Sequence, residues 1–318
     1  MPTSRRGMSL LLFARRIASG ILSLSAFALV PWADNVSIAA TQGRRIFISV
    51  DMEGVDGAVT SNQLSMSGND YQQTRQLMTD ELLAAIAGAR AAGATDFVVA
   101  DAHGQGQNIL IDRLPNDVHL IRGTARPLGM MEGIEEGHFD GVFFLGYHAG
   151  ASSLRGVRAH TFSSARLSEV RLNGIPVSEG QVNAAIAAHF GVPVLLASGD
   201  DATIEELRSA VPQAEMVEVK RSISFHAADN LAPAEAQRRI RDGATRAMRQ
   251  IGATTPNRTV TATSIELTFH FYQPAELLAW LPNVQRTGAR SIRYQSPDIV
   301  SAVRFLNFVL GYNVDLEP

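Results

Sequence analysis

The chain has 318 residues, enough for one large domain or two moderate ones. With 46% hydrophobic and 19% charged residues it can bury a core and is not of disordered composition. A net charge of -3 gives no electrostatic case for nucleic acid, and the absence of cysteine excludes disulfides and thiolate ligands, so a metal would be held by His, Asp and Glu.

At the N-terminus Arg5, Arg6, Arg15 and Arg16 precede an apolar run from Ile17 to Val30. Ser37-Ile38-Ala39-Ala40 then offers small residues for cleavage. This order of charge, apolar core and small residues predicts a secretory signal over 1–40. The run is too short for a comfortable membrane span. The expected mature protein is therefore periplasmic or secreted, with no stable membrane insertion.

Ile46 to Val50 is an apolar β-type run that stops at Asp51-Met52-Glu53-Gly54. Asp51 and Glu53 stand two apart, so on a strand they point to one side. Tyr71 to Ala92 carries Leu77, Met78, Leu82, Ala85, Ile86 and Ala89 at helical spacing, with Asp70 as its cap and Gly93 as its stop. Phe97 to Ala100 predicts a second strand, followed at once by Asp101-Ala102-His103. Strand, helix and strand in this order predict parallel pairing. Residues 109–135 hold only short apolar pieces and a weak helix near Met130.

Gly141 to Gly146 predicts another buried strand, ending at Tyr147-His148. Residues 149–159 are expected to form a surface loop leading to His160. Asn173-Gly174 between two apolar pieces is a strong hairpin signal. Glu179 leads a helix to His189, and Val194 to Ser198 predicts a strand that stops at Asp200 and Asp201. Beyond, strands are expected near 216–219, 265–271 and 291–294, with helices over 233–251, 274–281 and 298–312. The expected fold class is α/β: a mostly parallel, Rossmann-like sheet with flanking helices over 41–215, and a smaller α+β part over 216–318.

Four apolar runs thus end in ligand-type side chains: Asp51/Glu53, Asp101/His103, His148 and Asp200/Asp201. In open α/β sheets that edge is where ligands bind. Several carboxylates with histidine favour a pair of metal ions bridged by one carboxylate. Plainer roles compete. Asp200 and Asp201 read first as helix caps, and Asp101 reads as a cap or as a partner that orients His103. His119, His138, His189, His226 and His270 read as surface or packing residues. Spacing alone reaches a dimetal hydrolase in an α/β fold.

Seven pieces resemble the D-aminopeptidase family (DppA-like). They are Ser-Val-Asp-Met-Glu-Gly at 49–54, Asp-Ala-His at 101–103, Leu-Gly-Tyr-His-Ala at 145–149, His160, Asn-Gly-Ile-Pro-Val-Ser-Glu at 173–179, Val-Pro-Val-Leu-Leu-Ala-Ser-Gly-Asp-Asp at 192–201 and Val-Lys-Arg-Ser-Ile-Ser at 219–224. Thr161 stands where that family usually has Ser. The resemblance implies two zinc ions, hydrolysis of short peptides with an N-terminal D-residue, and a homo-oligomer in the form of a decamer. It implies that Asp51 bridges both ions, with Glu53 and His148 on one and His103 and Glu179 on the other. His160 matches the family's catalytic position. Two other functions fit the same residues less fully: a metal-dependent amidase or esterase on another small molecule, and a non-catalytic periplasmic peptide-binding protein.

Overall fold

The computed structural model describes residues 43–256 and 263–312. The expected signal over 1–40 lies outside the described residues. The chain runs β1 (Arg44–Val50), α1 (Ser61–Leu64), α2 (Tyr71–Ala91), β2 (Ala94–Asp101), β3 (Val118–Ile121), β4 (Gly141–Tyr147), β5 (Leu167–Leu172), β6 (Ile175–Pro176), α3 (Glu179–His189), β7 (Val194–Asp200), α4 (Asp201–Ala210), β8 (Glu215–Ser224), β9 (Ala227–Asn230), α5 (Pro233–Met248), β10 (Thr263–Phe269), α6 (Tyr272–Leu278), β11 (Val284–Arg286), β12 (Ser291–Ser296) and α7 (Ile299–Gly311).

Seven strands form one sheet in the order β3-β2-β1-β4-β7-β8-β9. All neighbours pair in parallel except the edge pair β8/β9. Both faces are covered, which is why these strands read as unbroken apolar runs. Ile46, Ile48 and Val50 pack toward α2 and α5 with Leu82, Ile86, Ile240 and Ala244. Phe47, Phe144 and Ala197 pack on the other side with Ile186, Ile299 and Val303.

The chain leaves β1 toward β2 on one side and returns to β4 on the other. The strand order therefore reverses between β1 and β4, and the crevice beyond their C-terminal ends is where such sheets bind ligands. The two ends are drawn close. Gly54 N–H donates to Gly146 O at 2.7 Å and Asp51 N–H to Leu145 O at 2.8 Å. A side chain at Gly54 would run into the Tyr147 carbonyl, and one at Gly146 into that of Asp51.

A second sheet, in the order β11-β12-β10-β5-β6, is antiparallel. It packs α7 through Leu267, Ile292, Ala302 and Leu306. Sheet membership crosses the expected boundary at 215. β5 and β6 join the late strands, while β8, β9 and α5 belong with the large sheet. The hairpin turn at Asn173-Gly174 forms as expected, with φ of 52° and 80°. Asp70 does precede α2, but its side chain makes no cap hydrogen bond. Near Met130 there is one short 3₁₀ turn, Gly129–Met131. No helix among the described residues is long and apolar enough to cross a membrane.

Candidate metal centre

Asp51 and Glu53 follow β1, His103 follows β2, and His148 follows β4. Glu179 is the first residue of α3, whose cap Ser178 and Gln181 form a reciprocal capping box. His160 lies in no element. It is held in its loop between two residues in the left-handed region, Arg158 (φ 58°) and Phe162 (φ 60°). Such backbone costs energy for any side chain and persists only where surroundings fix it.

These six side chains meet. Asp51, Glu53 and His103 form one group and His148, His160 and Glu179 another, with the donor atoms of each group within 4.8 Å of one another. Asp51 joins the two groups. Its Oδ1 lies 3.5 Å from His103 Nδ1, and its Oδ2 lies 3.3 Å from His148 Nε2. Direct contacts pair Glu53 with His103 (2.8 Å) and Glu179 with His148 (3.3 Å), whereas the resemblance pairs Glu53 with His148 and His103 with Glu179.

Each imidazole is oriented by the main chain. His103 places Nε2 2.8 Å from Leu64 O, His148 places Nδ1 3.0 Å from Ala149 O, and His160 places Nδ1 2.8 Å from Arg158 O. A carbonyl only accepts, so each of those nitrogens carries the proton. The other nitrogen of each ring faces the carboxylates, as a metal-ligating histidine requires. The His148 and His160 rings stack at 4.1 Å and 7°.

The donor set fits a pair of cations. Asp51 Oδ2 and His148 Nε2 are buried without a hydrogen-bond partner, although they face each other. Burial, reinforced by the charge of Glu53, pushes the Asp51 carboxyl up to about 7. Burial opposes the charge of Glu53 too, but His103 outweighs it and holds that carboxyl well below the usual range. Burial would discharge His148, yet Glu179 and Asp51 outweigh it and raise the imidazole to about 10. Three buried acids side by side need positive charge among them. Nitrogen and oxygen donors without thiolate suit zinc.

The remaining strand-end acids take the plainer roles. Asp101 accepts from Asn108 N at 2.5 Å, Asn108 Nδ2 at 2.7 Å and Ile109 N at 2.8 Å, and Asn108 in turn donates to His103 O at 2.7 Å. It fixes the His103 loop rather than the ring. Asp200 caps α4 through Thr203 N at 2.8 Å, and Asp201 accepts from Ser222 N at 2.7 Å. His119, His138, His226 and His270 are exposed and His189 half-buried, and all five lie outside both groups. Thr161 Oγ1 donates to Val177 O at 3.2 Å and accepts from Ala151 N at 3.0 Å, so it anchors the loop before His160.

Two basic residues near the site carry no ligand pattern in the sequence. Lys220, on β8, is 2% exposed and sits beneath the Glu53 loop. Arg158 stands two residues before His160 and reaches α1. Lys220 falls within the family-like piece at 219–224, which was its available signal; nothing marked Arg158.

A family model for D-aminopeptidase matches residues 44–308. The chain belongs to the D-aminopeptidase family. It is similar to the D-aminopeptidase of Bacillus subtilis (strain 168), 31% identical over 259 residues, covering 81% of this chain and 93% of that protein. It also superposes on the solved structure of the Zn-dependent D-aminopeptidase DppA from Bacillus subtilis, described as a self-compartmentalizing protease. That match has a TM-score of 0.79 at 29% identity, and covers 84% of this chain and 97% of the other. The protein is thus an enzyme of the metallo-aminopeptidase class, and its mixed α/β fold is that of the family.

Proposed function

We propose that this protein is a dizinc aminopeptidase that removes the N-terminal residue from short D-amino-acid peptides. The observation that carries this is Asp51, one oxygen facing His103 and the other facing His148. Asp51, Glu53, His103, His148 and Glu179 would hold the two ions, with Asp51 between them. When bound, such ions polarise a peptide carbonyl and make water nucleophilic at neutral pH. The zinc dependence of the DppA relative supports the choice of metal.

His160 acts on the proton. Its Nδ1–H is held by Arg158 O, which leaves the Nε2 lone pair turned inward, 3.7 Å from Glu179 Oε1. Burial, with the charge of His148, lowers its pKa and keeps the ring neutral. Nε2 therefore takes the proton from the attacking water and returns it to the leaving amine. Phe162 N–H fixes Glu179 Oε1 at 2.5 Å, so the acid beside His160 is not free to swing away.

The self-compartmentalizing description of DppA supports a homo-oligomer here, a decamer by resemblance. The Arg-flanked apolar segment before residue 41 supports export to the periplasm. Recovery of the mature chain in the cytoplasmic fraction would remove that part of the reading. Hydrolysis of D-Ala-D-Ala and L-Ala-L-Ala, before and after chelation, tests the activity. The D-peptide should be preferred, and its cleavage should stop with chelator and return with zinc. Cleavage that survives chelation would contradict the proposal.

A further inference from the structure

We propose that Arg158 is the receptor for the free carboxylate of the peptide substrate, which makes the enzyme selective for peptides that end just beyond the scissile bond. The inference rests on the aminopeptidase reading above. Arg158 belongs to the His160 segment, since its carbonyl accepts the His160 Nδ1–H at 2.8 Å. Its side chain leaves that segment and reaches α1. There Nη1 donates to Ser61 Oγ at 3.1 Å, on α1. The last residue of α1, Leu64, accepts the His103 Nε2–H at 2.8 Å. Arg158 therefore ties the segment of His160, two residues on, to α1, whose Leu64, three residues after Ser61, holds His103.

It is also unsatisfied. Nε is buried without a hydrogen-bond partner, and no carboxylate among the described residues pairs with the guanidinium. Arg155, three residues earlier on the same loop, is by contrast tied to Asp201 at 2.7 Å and Glu205 at 2.5 Å. The Arg158 guanidinium is braced instead of neutralised. It lies over the Phe225 ring, 4.9 Å from the centroid, and the Arg158 N–H donates to Phe225 O at 3.0 Å. Its backbone sits at φ 58°, where only glycine is unpenalised, so the position favours no side chain on backbone grounds. A braced guanidinium with no carboxylate partner is the group that receives a substrate carboxylate. In a dipeptide the carboxylate lies only about one Cα–Cα step, roughly 3.8 Å, beyond the bond to be cut.

Steady-state kinetics on zinc-loaded protein test this with two substrates, D-Ala-D-Ala and D-alanine amide, which has no carboxylate. R158M should lower kcat/KM on the dipeptide by roughly 30-fold or more, chiefly through KM. On the amide it should change by less than about threefold, which is the scale of a uniform packing effect. R158K should recover part of the loss on the dipeptide only. Zinc content and unfolding temperature of each variant serve as the fold control, with R158Q in reserve if R158M does not fold. Equal losses on both substrates, or no loss on the dipeptide, would overturn the carboxylate role alone. Wild-type protein that holds zinc but cleaves neither substrate would overturn the aminopeptidase reading and this inference with it.

Discussion

Lys220 Nζ donates to the main-chain oxygen of Glu53 at 2.6 Å, and the same ammonium donates to Val55 O at 2.7 Å and Ala58 O at 2.5 Å. A lysine has three N–H donors, and here three carbonyls of one turn take them all. The turn is the one that carries Glu53 away from β1. Burial lowers the ammonium to about 8, against the pull of Asp200, Glu81 and Asp56. It stays charged near neutrality, and its three hydrogen bonds keep the turn in place.

Replacing Lys220 with Met should leave those carbonyls buried and unpaired, at a cost of about 3 kcal/mol or more. Because Glu53 is then unsupported, zinc affinity should fall by roughly 10-fold to 100-fold, as for other residues that hold a ligand from behind. Denaturant unfolding and a competitive zinc titration measure the two effects. An unchanged zinc affinity would mean that the turn holds its own shape.

Asp51→Ala should remove both ions, since one carboxylate faces both groups. Zinc per subunit, measured on the purified variant, should drop to background. Retention of one full equivalent would show that the two groups bind independently.

His160→Ala should keep the metal and lose roughly 100-fold to 10,000-fold in kcat, the usual range for a lost acid–base group. Its Nε2 is 3.7 Å from Glu179 and its ring lies against His148. A variant that loses zinc together with activity would make His160 a ligand.

What could be seen in the sequence follows from how parallel sheets are built. β1, β2, β4 and β7 are covered on both faces, so each is a continuous apolar run and each ends visibly. Asp51, Glu53, His103 and His148 stand at those ends, which made the centre legible. His160 and Glu179 had to come from resemblance, because one sits in a loop and the other looks like a helix-start acid. The division between the sheets was hidden for a different reason. Asn173-Gly174 specifies a turn, but nothing local says that β5 will pair with β10, nearly a hundred residues later. Likewise, Lys220 and Arg158 act through main-chain carbonyls and through an unpaired charge, and neither leaves a spacing pattern.

Glu81, on α2, gives a prediction about pH. Its Oε1 accepts from Asp56 N–H at 2.8 Å, while Oε2 is buried without a partner. Burial pushes the carboxyl up to about 8 from its ordinary 4.5. Between those values the folded chain keeps a proton that the unfolded chain has lost, so this group's contribution to stability falls as pH rises through that window. Glu81→Gln removes the titration and keeps the acceptor for Asp56. Its stability should lie within about 1 kcal/mol of wild type near pH 5 and exceed wild type near pH 8. Denaturant unfolding at both values checks this; a variant weaker than wild type at pH 8 would mean that Glu81 serves as the buried counter-ion of Lys220.

The central claim is that six side chains from three strand ends, one loop and one helix start build a single two-ion site around Asp51. Anomalous diffraction at the zinc edge, on crystals of the zinc-loaded enzyme, tests it most directly. Two peaks per subunit are expected, one on either side of the Asp51 carboxylate and roughly 3.5–4 Å apart. One peak, or none within coordination distance of Asp51, would contradict it.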